Sequence, residues 1–261
     1  MKIYAQWSLH AENIAREAGE LLQQRWRHPH VVRGKGFRDV VTETDLAAER
    51  IIMGRLREFF PTHAITSEEA GADPRGVQVR WLIDPLDGTT NFSRNNPNFC
   101  ISIAAISGAE PVVGVIYDPL RDHIFSAWRG GGAMLNGELF QTSGRTNLAE
   151  AVFATDWPRD PQLRATHWQR VTQLLDSART LRCLGSAALN MAYVASGWFD
   201  LYLAQRLSAW DQTAAALIVR EAGGAVGTLS GAPWQPYAPD SVMAATPELL
   251  AEFKQLLART S

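Results

Sequence analysis

Residues 81–92, Trp-Leu-Ile-Asp-Pro-Leu-Asp-Gly-Thr-Thr-Asn-Phe, constrain this chain more than any other stretch. Trp81, Leu82 and Ile83 make a short apolar run of the kind a buried strand uses. Asp84 and Asp87 follow at its end. Pro85 fixes one φ angle between them, and Gly88 admits a left-handed or tight conformation just beyond. A strand that stops in such a turn can aim both carboxylates, and the Leu86 carbonyl, at one point. Thr89 and Thr90 read as the start of a helix, where free N–H groups favour an anion. Carboxylates beside such a helix start offer a meeting place for magnesium and a phosphoryl group. The same residue types also build turns, so the bare Asp-x-x-Asp-Gly spacing reads equally as a plain loop.

Composition narrows the classes. The 261 residues suffice for one large domain or two small ones, and a 46% hydrophobic content supports a sizeable core. A net charge of −2 argues against nucleic-acid and membrane-surface partners, which call for a basic face. Cys100 and Cys183 stand in apolar surroundings and are expected as buried free thiols; neither spacing suits a metal site. The first ten residues are polar and helix-like, without an apolar signal region. No run approaches the ~18 apolar residues of a membrane span. A soluble, cytoplasmic protein is expected.

Helical periodicity runs over 5–27, with Trp7, Ile14, Ala18, Leu21, Leu22 and Trp26 on one face. The stretch 33–39 reads as a polar loop. A second helix begins near Thr44-Asp45 and runs to about Phe60, stopped by Pro61. Strands are expected at 64–66, 100–107, 112–118 and 123–127. Gly130–Gly132 lacks the Lys-Ser/Thr of a phosphate loop and reads as a turn; Asn136-Gly137 is a hairpin signal. Beyond 150, strands at 151–155, 180–184, 199–203, 225–228 and 242–245 interleave with helices at 161–177, 187–196, 211–222 and 247–259. Interleaved helices and strands imply a mixed α+β fold of layered sheets with helices on their faces.

The twelve residues from Trp81 closely resemble the first signature of the inositol monophosphatase family of magnesium-dependent, lithium-sensitive phosphatases. Thr89-Thr90-Asn91-Phe92 is similar to the inositol monophosphatase branch. Alone, Asp211 is a helix N-cap. The stretch Trp210–Gly224, with its Trp-Asp-x-x-Ala-Ala-x-x-Ile-x-x-Glu-Ala-Gly-Gly pattern, resembles the family's second signature, where this Asp is a metal ligand. The resemblance spans nearly the whole chain. It implies an α-β-α-β-α sandwich formed by a single domain over 1–261, with possible subdomains at about 1–145 and 146–261. It also implies a homodimer.

The resemblance further implies roles for single residues. Glu68, Asp84 and the Leu86 carbonyl would hold one Mg2+, and Asp84, Asp87 and Asp211 a second, with a third, weaker ion common in the family. Asp45, otherwise a capping residue, would hydrogen-bond Thr89, and the pair would orient a water and take its proton. The Gly88 and Thr89 amides would face the phosphoryl group. Leu184-Gly185-Ser186-Ala187-Ala188 resembles the family's substrate loop. Lys35 is either a counter-charge to the acidic cluster or a solvated lysine. Where inositol-hydrolysing members carry a Glu, this chain has Ala204; Arg206 could instead meet a second anionic group or form a surface salt bridge. The expectation is a phosphomonoesterase for small phosphorylated polyols, with inositol 1-phosphate the family default. Broader sugar or nucleotide phosphatases, and a catalytically silent regulatory protein on the same fold, stay open.

Overall fold

The computed structural model describes residues 2–28, 32–36, 39–158, 160–238 and 240–258. Helix α1 (Lys2–Arg25) buries Ala11, Ile14, Ala15, Ala18 and Leu22 along one stripe, the spacing of an amphipathic helix. β1 (Val32–Gly36) and β2 (Asp39–Thr42) pair antiparallel, so most of the expected polar loop is a ribbon. Arg33 and Gly34 are exposed there, and Val-Arg-Gly-Lys-Gly offers no apolar alternation to read. α2 (Glu43–Phe59) starts at a capping box made by Thr42 and Asp45.

β3 (Ala64–Ser67), β4 (Gly71–Ala72), β5 (Val79–Asp87), the short helix α3 (Thr89–Ser93) and β6 (Cys100–Ser107) come next. β7 (Glu110–Asp118), β8 (His123–Trp128), β9 (Ala133–Leu135) and β10 (Glu138–Phe140) complete the first half. These strands form one sheet in the order β10-β9-β8-β7-β6-β5-β3-β4. Its pairs are antiparallel except β3 beside β5. Asn136 and Gly137, with φ of 52° and 85°, make the two-residue β9–β10 hairpin. The Gly130 and Gly132 amides donate to the Glu221 carboxylate, so that glycine-rich turn is pinned to protein.

The second half supplies β11 (Val152–Thr155), α4 (Pro161–Ser177), β12 (Thr180–Arg182), α5 (Ala187–Ala195) and β13 (Leu201–Gln205). It ends with α6 (Ala209–Glu221), β14 (Ala225–Gly227), β15 (Asp240–Ala244) and α7 (Pro247–Ala258). The five strands are ordered β12-β11-β13-β15-β14. Three apolar cores explain the stacking. One joins α1 and α2 to the large sheet, one wraps α5 and α6 between the two sheets, and one seats α4 and α7 on the outer face of the small sheet. The result is the expected α-β-α-β-α order. Cys100 is buried as expected, but Cys183 is exposed; its apolar neighbours in sequence, Leu181 and Leu184, do not cover it in space.

Candidate active site

The strand β5 carries the first signature into the interior. Its pairing with β6 is regular to Asp84 and then shifts before Asp87, so Pro85 and Leu86 form an irregularity that bends the strand end. Asp84 is 2% exposed, and its Oδ1 accepts the Leu86 amide at 3.0 Å. Gly88 follows at φ 96°; a Cβ there would lie 2.9 Å from the Asn98 carbonyl oxygen, so only glycine closes this turn. Thr89 then opens α3 and places its Oγ1 2.9 Å from Asp45 Oδ1 and 3.1 Å from the Leu86 carbonyl oxygen. The single hydroxyl hydrogen can serve one of them at a time.

Asp45 reaches Thr89 from the first turn of α2. Its Oδ2 accepts the Thr42 amide at 3.0 Å and contacts the Thr42 hydroxyl. Burial pushes the Asp45 carboxyl up to about 6 despite these bonds, because desolvation disfavours the charged form. Asp87 is also pushed up to about 6 by burial, against the opposing pull of the Ser186 hydroxyl at 2.6 Å and the Ala188 amide at 2.7 Å. Asp84 lies well above the ordinary carboxylate range. Burial is the main cause, followed by the negative charges of Glu68, Asp87 and Asp211.

Glu68 follows β3, and its backbone N–H donates to the Ile83 carbonyl at 3.1 Å. Asp211 occupies the third residue of α6, not the N-cap. Ser208 caps the helix and its amide donates to Asp211 Oδ2 at 2.7 Å, which starts the helix two residues before the expected 211. Ser102 on β6 donates to the Trp210 carbonyl at 2.9 Å and ties this turn to the large sheet. Glu68, Asp84, Leu86, Asp87, Gly88, Thr89, Gly185, Ala187, Arg206 and Asp211 all line one cavity of about 590 Å3. Ser186 stands at its edge through Asp87. Arg206 belongs to the rim: its side chain is 66% exposed, with Asp160 3.8 Å away. The Lys35 side chain lies outside the described residues.

Hard oxygen donors at the end of a buried strand suit magnesium. Among the described residues no three acidic, His or Cys side chains are drawn into a closed metal cage. The fit therefore rests on donor chemistry: Asp84 is buried in the field of three other carboxylates, an arrangement that a divalent cation relieves. Two further residues, Asn91 and Asp156, organise the site without an assigned role in the sequence reading. Asn91 Nδ2 donates to the Asn98 and Leu184 carbonyls at 2.6 and 2.7 Å, clamping the first signature to the 185–188 loop. Asp156 accepts from Tyr202 and Asn190 on the opposite wall. Apart from the local Asn91–Asn98 bond, these contacts link residues far apart in sequence.

Residues 4–260 match the family described as inositol monophosphatase. The chain belongs to that family. A Nus factor SuhB from Escherichia coli K12 is 40% identical over 225 residues, covering 85% of this chain and 84% of that protein. Inositol monophosphatase 1 from Solanum lycopersicum is 36% identical over 254 residues, covering 95% and 93%. The extragenic suppressor protein suhB structure from Bartonella henselae superposes with a TM-score of 0.91 at 33% identity, covering 95% of this chain and 97% of that one. The inositol monophosphatase fold thus brings together the cavity, the acidic cluster and the Thr89–Asp45 pair.

Proposed function

We propose that this chain is a magnesium-dependent phosphomonoesterase acting on small phosphorylated polyols, with inositol 1-phosphate as the leading substrate. The Thr89–Asp45 contact at 2.9 Å, beside an all-oxygen acidic cluster, carries this reading. Glu68, Asp84 and the Leu86 carbonyl would hold one Mg2+, and Asp84, Asp87 and Asp211 a second. Bound magnesium would supply Lewis acidity, lowering the pKa of water and neutralising charge on the phosphoryl oxygens.

The protein groups do the rest. Thr89 Oγ1 orients a water for in-line attack on phosphorus, and Asp45, behind it, takes the proton that the water sheds. The new bond is phosphorus to water oxygen; the broken one is phosphorus to the ester oxygen, which leaves as the alcohol after taking a proton from solvent. The Gly88 and Thr89 amides face the phosphoryl oxygens. Burial of Asp45 keeps its basicity near neutrality, where a general base works best.

The relatives named Nus factor favour a second reading, a regulatory protein on this fold. Each residue of the proton-transfer pair and of the proposed ligand set is present, which supports the enzyme. Phosphate release is the test. Purified protein with Mg2+ should hydrolyse inositol 1-phosphate, and chelation should stop it. No release from inositol 1-phosphate, fructose 1,6-bisphosphate, histidinol phosphate or nucleotides would leave the regulatory reading. Inhibition by lithium belongs to the same proposal.

A further inference from the structure

Asp156 lies on the cavity wall, just past the end of β11, and is not one of the acids assigned above to magnesium. β11 runs parallel to β13, with Ala154 beside Tyr202 and Thr155 beside Leu203, so the register carries Asp156 alongside Ala204. Alternate residues of a strand face alternate sides. Ala154, Tyr202 and Ala204 face the core between the sheets, whereas Thr155 meets His167 of α4 on the other side. Asp156 therefore shares the face of Ala204 and points to the same part of the cavity.

Its hydrogen bonds show what remains available. Asp156 Oδ2 accepts from the Tyr202 hydroxyl at 2.9 Å and from Asn190 Nδ2 at 2.8 Å. Oδ1 accepts the Gly185 amide at 3.0 Å and faces the Cys183 thiol at 3.9 Å. A carboxylate offers about four acceptor positions. Three are filled by firm donors that fix its orientation. The fourth faces a long thiol contact, the weakest donor of the set and one that a ligand hydroxyl can replace. The residue is half-buried and lines the cavity. Ala204 ends in a methyl group and offers no acceptor.

We propose that Asp156 is the hydroxyl-binding carboxylate of the leaving-group subsite, and that it selects polyhydroxylated alcohols over bare rings and chains. The inference rests on the phosphomonoesterase reading. A leaving-group hydroxyl that gives up water at this wall loses a hydrogen bond unless the protein returns one. Asp156 returns it, while its bond to Gly185 ties the same carboxylate to the loop at Gly185–Ala187.

The test compares myo-inositol 1-phosphate with cyclohexyl phosphate, the same ring without hydroxyls. Wild type should favour the inositol ester. Asp156→Asn replaces an acceptor oxygen with a donor and should cut the ratio of the two kcat/KM values by about tenfold or more, the scale of a charge-assisted hydrogen bond. The double variant Asp156→Ala with Ala204→Glu returns a carboxylate to the same face from the neighbouring strand and should restore much of that ratio. A merely structural Asp156 would depress both substrates together, and an unchanged ratio overturns the proposal. So does a double variant that discriminates no better than Asp156→Ala alone. Wild type that hydrolyses both esters equally well removes the subsite but keeps the phosphatase; hydrolysis of neither removes both. If the variants fail to fold, the wild type still decides. Inositol should compete better than cyclohexanol against cyclohexyl phosphate, and equal competition overturns the inference.

Discussion

One oxygen of Asp45 completes the capping box of α2 and the other lies 2.9 Å from Thr89 Oγ1. Asp211 is likewise the third residue of its helix and uses one oxygen on Ser208. A carboxylate has acceptor positions to spare, so a cap and a functional group need not be alternatives. That is why local spacing could not separate the two readings: one side chain has acceptors enough for both. Asp156 was not legible at all, because its partners Asn190 and Tyr202 come from two later elements and no short motif links them. Thr89→Ala should preserve the magnesium-induced rise in melting temperature yet lower kcat by about 10²–10⁴-fold, the usual worth of general-base assistance. Asp45→Asn should lose a similar factor, and the double variant should be little worse than either single. Multiplicative losses in steady-state kinetics would show that the two act separately. Asp45 also makes a prediction about pH. Its folded value, about 6, is raised above the ordinary 3.8, so its protonated form is favoured by folding. The stability it contributes to the metal-free protein is full below about pH 4 and lost as pH rises through about 6. Thermal melts of metal-free Asp45→Asn should therefore fall less over that interval than those of wild type.

At the scale of elements, the longer strands of the large sheet were readable because they are continuous and apolar, with β6 and β7 buried almost throughout. The helices of the second half were readable from their caps and stops. The β1–β2 ribbon and the two-residue β4 carry too few apolar residues for a periodic signal, and the short β9–β10 pair was marked only by its Asn136-Gly137 turn. A close backbone-to-backbone meeting of elements is also invisible in sequence. Gly114 on β7 lies against α6, where a Cβ would sit 2.5 Å from the Ala214 carbonyl oxygen. That oxygen is backbone and cannot rotate away. Gly114→Ala should force α6 from the sheet and cost about 1–3 kcal/mol, the range for overpacking. Because α6 carries Asp211 in its first turn, magnesium affinity should fall as well. An unchanged melting temperature would mean that the two elements are free to separate.

Across the whole molecule, the acids proposed to hold magnesium arrive from different layers: Glu68, Asp84 and Asp87 from the large sheet, Asp211 from the middle helices. The opposite wall, with Asp156 and Gly185–Ala187, comes from the small sheet and the start of α5. One core runs through this junction, joining Leu82 and Phe125 to Tyr202 and Met243. We therefore expect the two halves to unfold in one calorimetric transition; two resolved peaks would divide the chain near 145. The layered order was legible from interleaved helices and strands, but the strand order was not, since it depends on which edges meet in space. The charge placement has a cost that a divalent cation would remove. Without a cation, Asp84 is buried against three like charges, an arrangement that opposes folding. On the proposed reading magnesium binds the folded state, and it should then raise the wild-type melting temperature in proportion to the logarithm of its concentration above Kd. Asp84→Asn removes the central charge while keeping shape. Its metal-free melting temperature should equal or exceed that of wild type, most of the magnesium response should vanish, and phosphate release should fall to background. A variant that loses activity but keeps the full magnesium-induced shift would place the ions elsewhere. One that keeps both would show that Asp84 is not a ligand.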